Sequence, residues 1–190
     1  MPFMIIGVVG PIASGKNVFT DSLIEQDFNV WNLSDEVREE ARSRGVAIER
    51  KLLQDIGNEL REKFGNQYWA KRLLAKLDLK KNHVITGIRN PGEIEELKKY
   101  NGFVLVGIDA PIEKRFQWIM ARNKDSDPKN IEGVKIIDAR DRGLGEGKSG
   151  QQVNACYDLA DYYLMNDGTI EELKERSREL LEKLLNVKKA

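Results

Sequence analysis

The residues with the clearest chemical potential form a glycine-rich segment near the start of the chain. Positions 10–16 read G-P-I-A-S-G-K, the G-x-x-x-x-G-K pattern of a phosphate-binding loop. Gly10 and Gly15 let the backbone curl so that successive N–H groups converge on one phosphate, and Lys16 reaches the outer phosphates. The segment lies between an apolar run, Phe3 to Val9, and a helix predicted from Asn17 to Glu25. We therefore expect a nucleoside triphosphate here, bound by Gly10, Pro11, Ile12, Ala13, Ser14, Gly15, Lys16, Asn17 and Val18.

The composition narrows the class of protein. A chain of 190 residues suits a single domain spanning 1–190. Its 31 basic and 31 acidic side chains cancel, which argues against a general binder of nucleic acid or membrane surfaces. The lone Cys156 cannot form an internal disulfide, no signal peptide precedes Met1, and no apolar run approaches a membrane span. We therefore expect a cytoplasmic protein, and its oligomeric state stays open.

Short apolar runs alternate with helical segments along the chain. This order is typical of a single sheet that helices cover on both faces. The predicted strands are Phe3–Val9, Phe28–Leu33, His83–Thr86, Phe103–Asp109 and Tyr162–Met165. This alternation predicts an α/β protein with a five-stranded parallel sheet in three layers. Ser34 is expected to cap the helix after the second strand, and Ile170 to Leu185 to form a closing amphipathic helix.

The motifs, taken in order, resemble the P-loop nucleotide kinases. The likeness is strongest to the dephospho-CoA kinase-like and nucleoside monophosphate kinase-like branch and to an uncharacterised archaeal group of kinase-like P-loop proteins. Its carriers are the phosphate loop, Asp35-Glu36-Val37-Arg38, Gly57-Asn58-Glu59-Leu60-Arg61, Gly87-Ile88-Arg89-Asn90, Asp109-Ala110-Pro111 with Arg115 and Arg122, Arg140-Asp141-Arg142, and Ala160-Asp161-Tyr162 with Asn166-Asp167-Gly168-Thr169. The resemblance implies strand order 2-3-1-4-5, an acceptor-binding helical region at 34–79, and a mobile lid at 123–150.

The resemblance also assigns an acceptor site. Nucleoside monophosphate kinases place Asp-x-x-Arg after the second strand, and Asp35 and Arg38 match this pattern, although a capping Asp in an ordinary ion pair is the alternative. Arg89 directly follows a predicted parallel strand, where ligands bind in open α/β sheets. Arg61 lies on a polar helix and binds the acceptor or faces solvent. These residues favour an acceptor that already carries phosphate.

On the nucleotide side, the resemblance places arginines near the base and the triphosphate. Arg122 falls at the phosphate-side position, and Trp118 replaces the arginine expected to stack on the base; an aromatic at this spacing is alternatively a core residue. Arg140 and Arg142 resemble lid arginines that reach in when the lid closes. Asp167 and Gly168 join the predicted ATP-binding set.

The predicted metal site departs twice from what it resembles. Asn17 stands where Ser or Thr normally offers a hydroxyl to Mg²⁺, and Thr86 where the kinases commonly place an Asp. A carboxamide oxygen can still meet Mg²⁺ directly or through water, so we expect Mg²⁺ held mainly by ATP, with Asp35 orienting its water shell.

The resulting prediction is an ATP-dependent phosphotransferase acting on a nucleoside or deoxynucleoside monophosphate or a dephospho-CoA-like acceptor. Its expected catalytic residues are Lys16, Asp35, Arg122, Arg140 and Arg142. The alternative is a nucleotide-binding module with slow or no hydrolysis that signals through lid movement, which the altered metal positions favour.

Overall fold

The computed structural model of the protein describes residues 3–122 and 128–187. Its strands are β1 (Ile5–Val9), β2 (Asn29–Asn32), β3 (His83–Thr86), β4 (Phe103–Asp109) and β5 (Tyr162–Met165). Its helices are α1 (Lys16–Ile24), α2 (Leu33–Ser43), α3 (Arg50–Phe64), α4 (Tyr68–Leu74), α5 (Pro91–Leu97), α6 (Ile112–Arg122), α7 (Ile131–Asp141), α8 (Val153–Asp158) and α9 (Ile170–Val187). Residues 123–127 of the predicted lid, 123–150, lie outside the described residues.

The five strands form one parallel sheet in the order β2-β3-β1-β4-β5, which confirms the predicted fold class and strand order. The strand β1 lies at the centre, where Ile5 is opposite His83 of β3 and Phe103 of β4. Because all strands run the same way, their carboxyl ends meet at one edge of the sheet. The phosphate loop leaves β1 at this edge, and Gly87 to Asn90 leave β3 there.

Alternation along β1 divides the core into two clusters, one on each face of the sheet. Ile5 and Val9 belong to the cluster that helices α2 to α5 and α8 cover, whereas Ile6 and Val8 belong to the cluster under α1 and α9. Successive side chains of a strand point to opposite faces, so this split follows directly from the period of two. The result is the predicted three-layer arrangement. Within residues 3–122 and 128–187, no helix is both long and apolar enough to cross a membrane.

Several predicted boundaries shift by one or two residues. The strand β1 begins at Ile5 instead of Phe3, and α1 begins at Lys16 instead of Asn17. The prediction that Ser34 caps α2 is wrong. The cap is Asn32, whose side-chain oxygen accepts a hydrogen bond from the Ser34 backbone N–H at 2.9 Å. Asparagine and serine cap helices equally well, so the sequence permitted both registers.

The region predicted as a lid contains more regular structure than its glycines indicated. The helix α7 spans Ile131–Asp141, and the side chain of Asn130 caps it by accepting from the Gly133 N–H at 2.8 Å. Whether the segment 123–150 moves as a lid remains a prediction.

Candidate functional site

The phosphate loop has the backbone conformation that its glycines are needed for. Gly15 has a φ of 100°, and an ideal Cβ there would lie 2.6 Å from Nδ2 of Asn166 and 2.7 Å from the side chain of Leu173. At Gly10 a Cβ would lie 1.9 Å from the carbonyl oxygen of Ile108, which is backbone and cannot move aside. Both positions therefore exclude any side chain, as expected for the glycines of a phosphate-binding loop.

The loop is supported from behind by the segment that follows β5. Asn166 is buried and donates through Nδ2 to the carbonyl oxygen of Ser14 at 3.1 Å, while its own N–H donates to Asp109 O at 2.8 Å. This role of Asn166 was not predicted, although it belongs to the Asn-Asp-Gly turn that the sequence marks after β5. The contact connects the phosphate loop, which follows β1, to the segment after the edge strand β5.

The lysine of the loop donates to its own loop carbonyls. Lys16 Nζ lies 2.9 Å from Gly10 O and 2.6 Å from Pro11 O. Withdrawal of the ammonium group from water lowers the pKa of Lys16 from 10.5 to about 7; Arg89 adds to this effect and Asp141 opposes it. A bound triphosphate would favour the charged form, so nucleotide binding and protonation of Lys16 are coupled.

This coupling gives a prediction for proton uptake. Because the pKa of Lys16 without nucleotide is about 7, nucleotide binding should take up more protons at pH 8 than at pH 6. Calorimetric titrations with ADP in buffers of different ionisation enthalpy measure this uptake. The Lys16→Arg variant should show no such difference because guanidinium stays charged. Equal uptake by the wild type at the two pH values would contradict the coupling.

A cavity of about 650 Å³ extends from the phosphate loop. This volume lies within the range of small-molecule sites. Trp118 and Arg122, one turn apart on α6, both line it, and Trp118 belongs to neither core cluster. The alternative reading of Trp118 as a core residue is therefore wrong, whereas base stacking remains a prediction. The other lining residues are Ile12, Ala13, Ser14, Gly15, Lys16, Asn17, Val18, Arg50, Arg89, Asn166, Gly168, Thr169, Ile170 and Leu173.

A second cavity of about 140 Å³ lies beside the first, between α2, α3 and the end of α7. Four arginines line it against two carboxylates, so it favours anions. The predicted acceptor residues Arg38, Arg61 and Arg89 are among them, and Arg50 is the fourth. The remaining lining residues are Leu33, Ser34, Val37, Leu53, Gln54, Gly57, Trp69, Gly87, Glu93, Asp141 and Gln151.

The predicted acceptor residues differ in their burial and in the protein carboxylates with which they already pair. Arg61 is buried and pairs with the buried Glu93 at 2.9 Å, so the alternative that it faces solvent is wrong. Arg38 pairs with Asp35 at 2.7 Å. The Asp35 side chain is 67% exposed and does not line either of the two cavities, so the structure shows the ordinary i,i+3 ion pair. Its catalytic and metal roles remain predictions without structural support.

The two lid arginines face protein carboxylates. Arg140 binds Glu146 at 2.6 Å, and Arg142 binds Asp138 at 2.8 Å and Asp109 at 3.3 Å. Neither lines the two cavities in this conformation. A direct catalytic role for them therefore requires a rearrangement of the segment 128–150.

The turn after β5 contributes unequally to the 650 Å³ cavity, which is called the nucleotide cavity below because it contains the predicted phosphate loop. Gly168 lines it, but the exposed Asp167 lies outside the lining and pairs with Arg176 at 2.8 Å. The Asp167 carboxylate is exposed to solvent and does not line the cavity, so the structure gives no support to a contact with nucleotide. Its predicted part in ATP binding stays a prediction.

Sequence reasoning missed Arg50 and Asp141. Arg50 is the first residue of α3 and lines both cavities. Asp141 is the last residue of α7 and is 1% exposed. A signal was present for both: a cation in the first turn and a carboxylate in the last turn each oppose the helix dipole, which marks residues kept for another purpose.

The described residues offer too few ligands to hold a metal ion without a nucleotide. In the described part of the chain, no group of three His, Cys, Asp or Glu side chains could hold an ion. Thr86 donates its hydroxyl to Trp31 O at 3.2 Å, whereas the exposed Asn17 lines the nucleotide cavity. A Mg²⁺ ion here fits as a companion of triphosphate oxygens with Asn17 as its protein donor.

Comparison with known proteins places the chain among archaeal relatives. It is 35% identical over 185 residues to the UPF0200 protein of Methanothrix thermoacetophila, covering 95% of this chain and 97% of that protein. It is 32% identical over 181 residues to the UPF0200 protein of Sulfurisphaera tokodaii, with 95% and 97% coverage. A UPF0200/UPF0201 protein of Archaeoglobus fulgidus is 35% identical over 186 residues, and the chain spans 55% of its length. No family model matches the chain.

Solved structures share the fold at low identity. TT1252 from Thermus thermophilus superposes with a TM-score of 0.60 at 19% identity, covering 97% of this chain and 99% of that one. Shikimate kinase from Acinetobacter baumannii gives 0.57 at 16%, and a gluconokinase from Sinorhizobium meliloti gives 0.55 at 12%, each covering 98% of this chain and 95% of the other. These likenesses confirm the predicted fold, which is that of the P-loop kinases. The chain therefore belongs to the UPF0200 family and has the fold of the P-loop kinases.

Proposed function

We propose that the protein is an ATP-dependent phosphotransferase whose acceptor carries phosphate. The observation that carries this proposal is the pair of adjacent cavities at the carboxyl edge of the sheet, which share Arg50 and Arg89 as lining residues. One cavity contains the phosphate loop and the other is rich in arginine. Two anions that bind in them come together at the shared arginines, as donor and acceptor must for in-line transfer.

The chain's own contribution to catalysis is positioning and charge neutralisation. The loop N–H groups and Lys16 hold the donor phosphates, Arg122 approaches them from α6, and Trp118 offers a face to the base. When bound with ATP, Mg²⁺ would neutralise the phosphate oxygens. Guanidinium groups of the smaller, arginine-rich cavity hold the acceptor anion by bidentate hydrogen bonds, which a point charge cannot reproduce, while the shared Arg50 and Arg89 also face the donor phosphates.

The size of the smaller, arginine-rich cavity, called the acceptor cavity below, limits which acceptor can bind. Its volume of about 140 Å³ is below the 300 Å³ or so at which drug-sized ligands begin to fit, so it holds a phosphate and little more. A nucleotide acceptor therefore requires the end of α7 to move outward. A small hydroxy acid, whose carboxylate binds the same arginines, fits with less movement and is the second candidate acceptor.

A non-catalytic alternative draws on the metal positions. Thr86 and Asn17 give the nucleotide cavity no carboxylate for Mg²⁺, and the arginines of α7 are paired with protein carboxylates. On this reading the protein binds ATP, hydrolyses it slowly or not at all, and signals through movement of 123–150.

An assay with γ-labelled ATP distinguishes these functions. The acceptor panel contains nucleoside and deoxynucleoside monophosphates, dephospho-CoA, shikimate and gluconate. We expect label transfer to a phosphate-bearing acceptor. Transfer to a hydroxy acid alone would establish the second candidate, and ATP binding without transfer to any member or to water would favour the signalling module.

The metal side of the site gives a separate prediction. Asn17→Thr supplies the hydroxyl that Mg²⁺ prefers in such loops, so the Mg²⁺ concentration for half-maximal activity should fall about threefold to tenfold. Asn17→Val matches threonine in shape without the hydroxyl and serves as the control; it should raise that concentration. A Mg²⁺ titration of turnover at saturating ATP measures both. If threonine and valine act alike, position 17 does not contact the metal shell.

A further inference from the structure

Resting on the proposed function, we infer that Arg50 and Arg89, held in place by Asp141, form an anion subsite that takes the terminal phosphoryl group of the nucleotide. Arg50 is on α3 and Arg89 follows β3, yet both line the nucleotide cavity as well as the acceptor cavity. Their side chains are 35% and 27% exposed, so each presents part of its guanidinium group to these spaces.

Asp141 fixes both guanidinium groups from the protein side. Its Oδ2 accepts from Arg50 at 2.7 Å and from Arg89 at 3.4 Å, and its Oδ1 accepts from Gln54 Nε2 at 3.3 Å. The carboxylate is 1% exposed and therefore faces these partners and no bulk water. An arginine has five N–H donors, so one or two bonds to Asp141 leave donors on each guanidinium for a ligand.

The charges at this point do not balance. Two guanidinium groups share one carboxylate, and Lys16 lies near enough to Arg89 that the two repel. The carboxylate itself lies at the C-terminal end of α7, where the helix dipole opposes it. A cluster with surplus positive charge between two cavities is completed by an anion, and the group that must pass between them is the transferred phosphoryl.

The test compares a non-hydrolysable ATP analogue with ADP, because only the former carries the terminal phosphate. Arg50→Gln should leave the ADP Kd unchanged and weaken the ATP analogue about tenfold to hundredfold, the effect of losing a charge-assisted hydrogen bond. Lys51→Gln removes the neighbouring positive charge from an exposed position outside the two cavities and is the matched control. It should change neither Kd.

Asp141→Asn separates positioning from competition. If Asp141 holds the arginines, its loss should weaken the ATP analogue relative to ADP even though the site becomes more positive. A stronger preference for the ATP analogue would show that Asp141 occupies the phosphoryl position and would overturn the positioning role. Equal losses for both nucleotides in Arg50→Gln, or none, would overturn the subsite. Those outcomes leave the proposed function standing, whereas a wild type that binds neither nucleotide removes both.

Discussion

Replacing Lys16 with alanine should lower kcat/KM for ATP by about a thousandfold or more, since one residue both binds the phosphates and neutralises charge in the transition state. The structure shows why no neighbour can substitute. Lys16 Nζ lies within the loop, 2.9 Å from Gly10 O and 2.6 Å from Pro11 O, whereas Arg122 and Arg89 approach from other elements.

The fold should tolerate this change. Lys16 belongs to neither hydrophobic cluster, and the loop keeps the hydrogen bond from Asn166 to Ser14 O. Circular dichroism and thermal unfolding should therefore resemble the wild type. Lys16→Met fills the same space without the charge and should lose as much activity as the alanine variant. Near wild-type turnover in either variant would show that the loop is not the donor site.

Local patterns in the sequence brought together most of the residues that line the larger cavity. The phosphate loop is contiguous, so its residues are neighbours in space whatever the rest of the fold does. Trp118 and Arg122 are four apart on one helix, and their shared face follows from helical geometry. Arg89 was singled out because it follows the parallel strand β3, and the carboxyl ends of parallel strands meet at one edge of the sheet.

The cluster of Arg50, Arg89 and Asp141, where the two cavities meet, could not be predicted in this way. Arg50 and Asp141 are 91 positions apart and meet only because the start of α3 packs against the end of α7. No periodicity reports such a contact between two helix ends. The same holds for Glu93, which pairs with Arg61 inside the protein and excludes the solvent-facing alternative for this arginine.

Asp35 is the opposite case, because it matches the expected sequence motif but its side chain lines neither cavity. Its spacing to Arg38 matches the expected motif, but α2 begins two residues earlier at Leu33 under the Asn32 cap. In this helix Arg38 lines the smaller cavity, whereas the Asp35 side chain is 67% exposed and lines neither cavity. A motif gives the residues, whereas the helix register decides which of them face the ligand.

The largest effect on stability is expected at Asp138. Arg115 is 1% exposed and binds Asp138 through two nitrogens at 2.7 and 3.0 Å. It also donates to Ala110 O at 3.0 Å and to Ile12 O of the phosphate loop at 3.3 Å. Asp138→Asn leaves this guanidinium buried without its counter-charge and should lower the free energy of unfolding by about 3–5 kcal/mol. Because Ile12 is held by the same arginine, ATP affinity should fall as well.

The pH dependence of this loss has a definite sign. Burial alone would raise the pKa of Asp138, but the hydrogen bonds and charges of Arg115 and Arg142 outweigh it and hold the pKa below its ordinary value of 3.8. A depressed carboxyl pKa contributes stability that is complete above pH 3.8 and is lost as the pH falls through the folded-state pKa. The difference between wild type and Asp138→Asn should therefore be constant from about pH 5 to 8 and shrink in acid.

Urea unfolding at pH 7 and at pH 3 measures both statements. The matched control is Glu132→Gln, which breaks the exposed pair of Glu132 with Lys135 on the same helix and should leave the stability close to that of the wild type. The double variant Asp138→Leu with Arg115→Met removes both charges together and should recover much of the loss, since an apolar pair of similar volume leaves no buried charge. It should not recover ATP affinity, because Ile12 O stays without its donor. Recovery of both would mean that Arg115 stabilises α7 alone, and an Asp138→Asn variant as stable as the control would mean that the pair is not closed in solution.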